Sequence, residues 1–335
     1  MNALKFSAVL TLLIFSAVGR ADPLDTWTWR NPVPPAVNLS AVAYGNSQFV
    51  AVGDYGTIVS SADAVNWVPR QSGTGYHLSA VACGNDEFVA LGLGFNDATG
   101  EWEETILTSA DGVTWVQNHL GPDNGLSGIA YGNGQFVVVG TGRYLGRSET
   151  ILTSADGVTW VQNHLGTDIG LSGIAFGNGQ FVAVGGRYNN TTNLYEGIIL
   201  TSADGATWVQ RQSGTQSWLT AIAYGNGQFV AIGYYPTGLP DTTLTTSNDG
   251  VNWVQRRLGT QSGLDFIGYG NGQFLAVDFN GTTLTSADGV NWVQHQSAAP
   301  RYLRGVTYGN GQFVAVGDHG TIVASTDGVN WLQRQ

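Results

Sequence analysis

One octapeptide occurs seven times in this chain of 335 residues, and no other feature constrains the fold as strongly. The copies Thr108–Trp115 and Thr153–Trp160 both read TSADGVTW, letter for letter. The variant copies are Ser60–Trp67, Thr201–Trp208, Thr246–Trp253, Thr285–Trp292 and Ala324–Trp331. Self-similarity at a fixed period is the signature of a repeat architecture, in which each unit buries its apolar surface against the next.

Each octapeptide belongs to a longer unit that contains four short segments rich in Val, Ile, Phe, Thr and Trp, separated by Gly, Asn and Asp. Such segments predict four β-strands per unit, and in five units an Asn-Gly pair indicates a tight hairpin after the first strand. The units start near Leu39, Leu78, Leu126, Leu171, Leu219, Leu264 and Leu303. The spacings of 39 to 48 residues are typical of propeller blades. The sequence therefore predicts an all-β protein, a seven-bladed β-propeller of four-stranded antiparallel blades, as one domain over residues 22–335.

Two segments are candidates for the strand that closes the ring. Residues 26–31, TWTWRN, resemble the fourth strand of a unit although they precede the first unit. The last unit also has a fourth strand of its own, predicted at residues 329–333. One of the two would then be a fifth, outer strand, and the sequence leaves both assignments open.

The octapeptide has the composition of a structural turn. Its Asp is suited to accept bonds from the backbone N–H groups ahead of it, and its Trp is suited to fill the space between blades. The predicted structural residues are Asp63, Asp111, Asp156, Asp204, Asp249, Asp288 and Asp327. The pattern Ser-x-Asp-Gly-x-x-Trp resembles the Asp-box, or BNR repeat, of sialidase-like propellers, with one residue fewer between Asp and Trp. The wider unit, Leu303–Trp331, is similar to the repeat of the photosystem II assembly/stability factor family, which implies a seven-bladed propeller.

Residues 1–21 have the pattern of a secretory signal peptide. Lys5 precedes an apolar stretch at residues 6–18, and Gly19-Arg20-Ala21 fits a small-x-small cleavage site. No later segment has the continuous apolar length that a membrane span needs. We therefore expect an exported, monomeric product, secreted or periplasmic, without membrane insertion.

Charge and side-chain chemistry narrow the classes of partner. The formal net charge is −11, and loss of Lys5 and Arg20 with the signal peptide makes it −13. Such a chain lacks the basic face that nucleic acids require. Cys83, the one cysteine, aligns with aromatic residues of other units and is predicted to pack. Five unclustered histidines predict no metal site, and no glycine loop opens a helix to hold a phosphate, so no cofactor is expected.

Function is expected where the units differ. Units 1, 6 and 7 have minimal connections between their second and third strands, whereas units 2 to 5 carry long connections that would form a wall beside the channel mouth. The candidate ligand-binding residues of this wall are Trp102, Arg143, Tyr144, Arg187, Tyr188 and Tyr235. The aromatic rings would supply stacking area, and Arg143 and Arg187 occupy matching places from which an anionic group could be held.

These features favour a non-catalytic binding or assembly-scaffold protein that recognises a protein segment or a carbohydrate. The alternative is a divergent, sialidase-like glycoside hydrolase. Sialidases, however, carry an arginine-bearing N-terminal motif that residues 30–34, RNPVP, do not match. Other glycosidases need two facing carboxylates, and the sequence does not pair Glu103, Glu149 and Asp241. No catalytic residue is therefore assigned.

Overall fold

The computed structural model describes residues 37–122, 125–141, 149–163, 165, 167, 169–234, 242–258, 263–278, 280–295 and 302–334. They form seven four-stranded antiparallel sheets, each built from four strands that are consecutive in the chain. The predicted seven-bladed β-propeller is therefore confirmed. The predicted signal peptide and the closure candidate at residues 26–31 lie outside the described residues. Within the described part, no helix is long and apolar enough to cross a bilayer.

The strands of each blade follow one another from the channel outward. Blades 1 to 3 contain β1 (Leu39–Gly45), β2 (Gln48–Gly53), β3 (Ile58–Ser61), β4 (Val68–Arg70); β5 (His77–Gly84), β6 (Glu87–Asn96), β7 (Glu101–Ser109), β8 (Val116–Pro122); β9 (Leu126–Gly132), β10 (Gln135–Thr141), β11 (Glu149–Ser154), β12 (Val161–Asn163). Blades 4 and 5 contain β13 (Gly170–Gly177), β14 (Gln180–Asn189), β15 (Leu194–Ser202), β16 (Val209–Gln212); β17 (Trp218–Gly225), β18 (Gln228–Tyr234), β19 (Thr242–Ser247), β20 (Val254–Arg257). Blades 6 and 7 contain β21 (Leu264–Gly270), β22 (Gln273–Asp278), β23 (Thr283–Ser286), β24 (Val293–His295); β25 (Leu303–Gly309), β26 (Gln312–Gly317), β27 (Ile322–Ser325), β28 (Leu332–Gln333). Short 3₁₀ turns at Asp54–Gly56 and Asp318–Gly320 join the second and third strands of blades 1 and 7.

The core is divided among the seven interfaces between blades. The second strand of a blade is apolar on both faces because a neighbouring blade covers each face. Between blades 1 and 2, for example, Val50 and Ile58 pack against Phe88 and Leu107, and Trp115 closes the cluster. The octapeptide tryptophans Trp67, Trp115, Trp160, Trp208, Trp253, Trp292 and Trp331 all belong to such clusters. The Trp of the repeat thus fills the space between blades, as predicted.

Blades 7 and 1 close the ring with the same kind of contact that joins other blades. Gln312 Nε2 donates a hydrogen bond to the Asp63 carbonyl at 3.0 Å, just as Gln180 Nε2 donates to the Asp249 carbonyl at 2.6 Å between blades 4 and 5. The last blade uses its own fourth strand, β28, which pairs with β27. The C-terminal candidate therefore supplies the fourth strand of blade 7, with two paired residues rather than the five predicted.

A glycine at the end of each inner strand makes room for a side chain of the next blade. A Cβ on Gly177 would lie 2.1 Å from Cγ of Tyr224, so only glycine permits this contact. The other glycine–aromatic pairs are Gly84–Tyr131, Gly132–Phe176, Gly225–Tyr269, Gly270–Tyr308 and Gly309–Tyr44. In blade 2, Cys83 takes the place of the ring and lies against Gly45. Burial raises the pKa of the Cys83 thiol to about 11, which fits the predicted packing role.

Candidate binding face

The connections of the blades lie on two opposite faces of the ring. One face, here termed the turn face, holds the turns between first and second strands together with the octapeptide turns. The other, the hairpin face, holds the connections between second and third strands and those between blades. On the turn face, Asn46 Nδ2 of blade 1 donates to the Ala110 carbonyl of blade 2 at 3.0 Å, and Asn133 Nδ2 donates to the Ala203 carbonyl at 3.0 Å. The repeated turns therefore link neighbouring blades, and the variation between units lies on the hairpin face.

The aspartates of the octapeptide bind their own turns. Asp156 Oδ1 accepts hydrogen bonds from the backbone N–H groups of Val158 at 2.9 Å and Thr159 at 2.7 Å. These bonds lower the pKa of Asp156 to about 2, because they stabilise the ionised carboxylate. The same pair of backbone bonds is made by Asp63, Asp111, Asp204, Asp249, Asp288 and Asp327. All seven are thus engaged in turn geometry.

The long connections of blades 2 and 4 are regular hairpins that extend the second and third strands. In blade 2 the second and third strands extend to Asn96 and Glu101, and in blade 4 they extend to Asn189 and Leu194. Alternating aromatic and polar residues allow the strands to continue pairing beyond the ring. The corresponding connections of blades 3 and 5 include residues 142–148 and 235–241, which lie outside the described residues.

The two hairpins share one framework of polar contacts. Asn96 Nδ2 donates to Glu103 Oε2 at 2.8 Å, and Asn189 Nδ2 donates to Glu196 Oε1 at 2.6 Å. Each Asn also accepts a backbone N–H within its own turn. The Asn thus shapes the turn and positions a Glu seven residues later in both blades.

An aromatic pair lies on the opposite face of each hairpin from this framework, because successive cross-strand pairs alternate between the two faces. Trp102 packs edge-to-face on Phe95, with ring centroids 5.9 Å apart, and Tyr188 packs similarly on Tyr195 at 5.1 Å. Phe95, Trp102 and Tyr188 remain 48%, 42% and 48% exposed. The structure therefore places the candidates Trp102 and Tyr188 on separate hairpins, each with large apolar area facing solvent.

Arg187, a third candidate, is bound by a carboxylate of its own hairpin. Its Nε and Nη2 atoms lie 2.7 and 2.6 Å from Glu196 Oε2. The hydrogen bond from Asn189, followed by that from Arg187, lowers the pKa of Glu196. An anionic ligand at Arg187 would therefore compete with Glu196. The remaining candidates, Arg143, Tyr144 and Tyr235, lie outside the described residues.

Trp218, which the sequence reasoning did not single out, extends the aromatic surface of blade 4 toward the channel. Its ring lies 6.4 Å from that of Tyr195, and its Nε1 donates to Ser172 Oγ at 2.8 Å. A Cβ on Gly170 or Gly186 would lie within 2.8 Å of the indole, so glycine at both positions leaves the space that the Trp218 ring occupies. Trp218 lies at the start of the first strand of blade 5, outside the long connections in which binding residues were expected. The sequence signal for its position is the pair of glycines in the preceding blade. Tyr188, Tyr195 and Trp218 are termed the aromatic ladder.

The aromatic ladder reaches the mouth of the central channel, whose cavity has a volume of about 230 Å³. Each inner strand contributes one polar residue to this mouth: Ser40, Ser79, Ser127, Ser172, Thr220, Asp265 and Arg304. Arg304 Nε donates to Asp318 in the short connection of blade 7, and this bond raises the pKa of Arg304. Ser172 lines the mouth and accepts the hydrogen bond from Trp218 of the ladder, so the two features are continuous.

The carboxylates considered for glycoside hydrolysis serve the local structure. Glu149 is fully buried and accepts hydrogen bonds from the backbone N–H groups of Leu165 and Thr167 and from the Thr167 hydroxyl. Glu103 accepts from Asn96 and from Thr99 Oγ1, the latter at 3.0 Å. Asp241 lies outside the described residues. Among the residues that are described, no group of three or more His, Cys, Asp and Glu side chains is arranged to hold a metal ion.

Comparison with known proteins identifies propellers by structure only. No protein-family model matches the sequence, and no curated protein matches it. YCF48 bound to D1 peptide has a TM-score of 0.62 at 17% identity, covering 87% of this chain and 92% of that one. The computationally designed Ika8 protein has a TM-score of 0.52 at 12% identity, with coverages of 86% and 96%. The WD40 β-propeller domain of Doa1 has a TM-score of 0.54 at 13% identity, with coverages of 85% and 92%. At these sequence identities the structural likeness shows the fold alone.

Proposed function

We propose that this chain is a non-catalytic binding or assembly-scaffold protein that holds a segment of another protein on its hairpin face. The observation that carries the proposal is the aromatic ladder, which runs from the exposed Tyr188 through Tyr195 to Trp218 beside the channel mouth. Aromatic residues with hydrogen-bonding groups close by are enriched in the centres of protein interfaces and supply much of their binding energy.

The aromatic ladder is a continuous strip rather than an enclosed pocket. Its rings contact one another edge to face at 5.1 and 6.4 Å, so they present an unbroken apolar surface along which a segment can lie. The channel cavity of about 230 Å³ is smaller than most pockets for small-molecule ligands, which measure about 300–1,000 Å³. A ligand lying across the face therefore fits better than one enclosed in the channel.

The likeness to YCF48 and the resemblance of the repeat unit both support a protein segment as the ligand. YCF48, which has a similar fold, is bound to a D1 peptide in its structure. The repeat unit resembles that of the photosystem II assembly/stability factor family, and the Asp-box-like octapeptides act in this proposal as structural turns. A carbohydrate also stacks on aromatic rings, so it is the competing ligand. The local roles of Glu103 and Glu149 weigh against the glycoside hydrolase alternative.

We also propose that residues 1–21 are removed on export, which gives a secreted or periplasmic protein. Lys5 and the apolar stretch at 6–18 carry this proposal. Expression in a bacterial host, followed by mass spectrometry of the purified protein, is expected to find Asp22 at the N-terminus. Recovery of the intact chain from the cytoplasm would contradict it.

The function is tested with peptide and glycan arrays and a fluorogenic glycosidase panel, applied to residues 22–335. The matched variant replaces residues 186–197 of blade 4 with Asp-His-Gly, the short connection of blade 7 at 318–320. A second control, Asp204→Ala, alters the turn face. We expect peptides to bind the parent and Asp204→Ala proteins and to be lost from the shortened variant, while all three keep cooperative melting transitions.

Each other result has a defined meaning. Undiminished peptide capture by the shortened variant would exclude the aromatic ladder as the site. Signals confined to the glycan array would make a carbohydrate the ligand. Turnover of a glycosidase substrate would replace the scaffold proposal with the hydrolase alternative.

A further inference from the structure

The channel mouth contains two charges of opposite sign. Each inner strand places one residue at the same position of the mouth, and in five blades that residue is a serine or a threonine. Blade 6 supplies Asp265 at this position, and the neighbouring blade 7 supplies Arg304. Of the described residues that line the cavity, only these two carry a formal charge. The mouth is therefore a ring of hydroxyl-bearing residues with an anion and a cation in adjacent blades.

Arg304 is positioned by a carboxylate of its own blade. Its Nε donates to Asp318, whose side chain is only 16% exposed, whereas the Arg304 side chain is 47% exposed. A guanidinium has five N–H donors in one plane, so a bond from Nε leaves further donors for a second anion. A ligand carboxylate can therefore bind Arg304 without displacing Asp318.

Asp265 supplies the complementary group at the start of β21. An ionised carboxylate accepts hydrogen bonds at about four lone-pair sites, so the contacts that Asp265 makes within the chain leave room for an ammonium group. In the order of the blades, Thr220 precedes Asp265 and Ser40 follows Arg304. Hydroxyl groups both donate and accept, so the residue beside each charge can bind either end of a ligand.

The wall of the cavity is apolar farther along the inner strands. Two residues after the mouth position, every inner strand carries valine or isoleucine, as at Val42, Ile267 and Val306, and all seven of these residues line the cavity. The cavity of about 230 Å³ is thus charged at its opening on the hairpin face and apolar deeper in the channel. A matching ligand has a cation and an anion at one end and a short aliphatic group at the other.

We propose that the channel mouth binds a small aliphatic α-amino acid as its zwitterion. Arg304 holds the carboxylate, Asp265 holds the ammonium group, and the side chain lies against the valines and isoleucines of the inner strands. The cavity is smaller than the pockets of drug-sized ligands, which suits a ligand of this size. This inference goes beyond the proposed function, because the ligand is a free small molecule and its binding does not use the aromatic ladder.

The test uses L-valine as the probe and two analogues that each lack one of its charges. Isovalerate keeps the carboxylate and the aliphatic group without the ammonium group, and isobutylamine keeps the ammonium group without the carboxylate. Binding of each compound, and of glycine, to residues 22–335 is measured by calorimetry. The variants Arg304→Gln and Asp265→Asn each remove one charge of the mouth. Asp318→Asn is the matched control, because it removes a charge beside Arg304 that does not line the cavity.

We expect L-valine to bind, and isovalerate and isobutylamine to bind at least about tenfold more weakly, because each leaves one charged group of the mouth without its partner. Glycine is expected to bind about tenfold more weakly, since it buries no aliphatic side chain. Arg304→Gln and Asp265→Asn should each weaken L-valine binding by about tenfold or more, and Asp318→Asn by less than about threefold. A preserved melting transition in each variant shows that the fold is intact.

Three results would overturn the inference: equal affinity for L-valine and isovalerate, equal losses in Arg304→Gln and Asp318→Asn, or no binding of L-valine at millimolar concentration. The analogues probe the unaltered protein, so they decide the matter even if a variant does not fold. Peptide binding to the aromatic ladder is measured separately. Failure of L-valine to bind therefore leaves the proposed function standing, and failure of the peptides leaves this inference standing.

Discussion

The turn face and the hairpin face belong to the same seven blades, but their side chains contact different things. On the turn face, Asp156 binds its own backbone and Gln180 binds the backbone of the next blade. On the hairpin face, Trp102 and Tyr188 pair with rings of their own hairpins and keep large exposed areas. Repetition therefore marks the residues that join blades, and variation marks those available to a partner. Changes on the first face are expected to alter stability, and changes on the second to alter binding.

The largest loss of stability is expected for Gly177→Ala, which alters a contact between blades. The new Cβ would overlap the Tyr224 ring of the next blade, and overpacking of this kind costs about 3 kcal/mol. Denaturant unfolding should show this loss, while folded protein binds its peptides normally. The matched control is Gly75→Ala, where a Cβ meets nothing within 4 Å. Equal denaturant midpoints for Gly177→Ala and Gly75→Ala would mean that the Tyr224 ring does not restrict position 177 to glycine.

Removal of an octapeptide carboxylate is expected to have a smaller effect. Asp156→Ala leaves two backbone N–H groups without their acceptor, but the site is exposed and water replaces part of the loss, so we expect about 1 kcal/mol. The folded pKa of about 2 lies below the ordinary aspartate value of 3.8. The stabilisation is thus present above about pH 4 and is lost as pH falls through 2.

Unfolding of the parent and Asp156→Ala proteins from pH 7 to pH 2 measures this dependence. The two stabilities should converge at the acidic end, and the peptide affinity of folded protein at pH 7 should be unchanged. A stability difference that persists unchanged at pH 2 would assign the effect to something other than the ionised carboxylate. Lost peptide affinity would place function on the turn face.

The smallest expected change in stability concerns Glu87, which differs from the equivalent residues of other blades on the turn face. Glu87 occupies the position where Gln135 and Gln180 donate to the next blade, and an ionised carboxylate has no proton to donate. Burial, together with the charge of Asp111, raises the pKa of Glu87, and a hydrogen bond from Thr108 opposes this rise. Because the folded pKa is raised, the contribution of protonated Glu87 is complete below its unfolded pKa and is lost as pH rises through the folded value.

Glu87→Gln is therefore expected to be more stable than the parent at pH 8 by about 0.5–1 kcal/mol, since the amide supplies the missing donor. The gain should shrink toward pH 4, where Glu87 becomes protonated. Denaturant unfolding at the two pH values checks this, with Gln180→Glu in blade 4 as the reciprocal variant. A gain that is the same at both pH values would contradict the role assigned to the Glu87 proton.

The fold was predictable because its determinants are local and repeated seven times. The Asn-Gly turns require positive φ at both residues, and Asn133 and Gly134 have φ values of 49° and 77°. The second strand is apolar on both faces, and Trp115 follows its turn at a constant distance. Such rules act within a few residues, so a single chain displays them without knowledge of what lies across the ring.

The sequence by itself determined that blades 2 and 4 carry extra residues and that Trp102 and Tyr188 belong to them. Only the tertiary structure decided that these insertions are paired hairpins, that Arg187 is neutralised by Glu196, and that Trp218 completes the aromatic ladder. Cross-strand register and contacts between blades depend on which backbones lie side by side. A side chain whose partner is fixed by that arrangement, such as Trp218 on glycines of the preceding blade, leaves no local pattern in the chain.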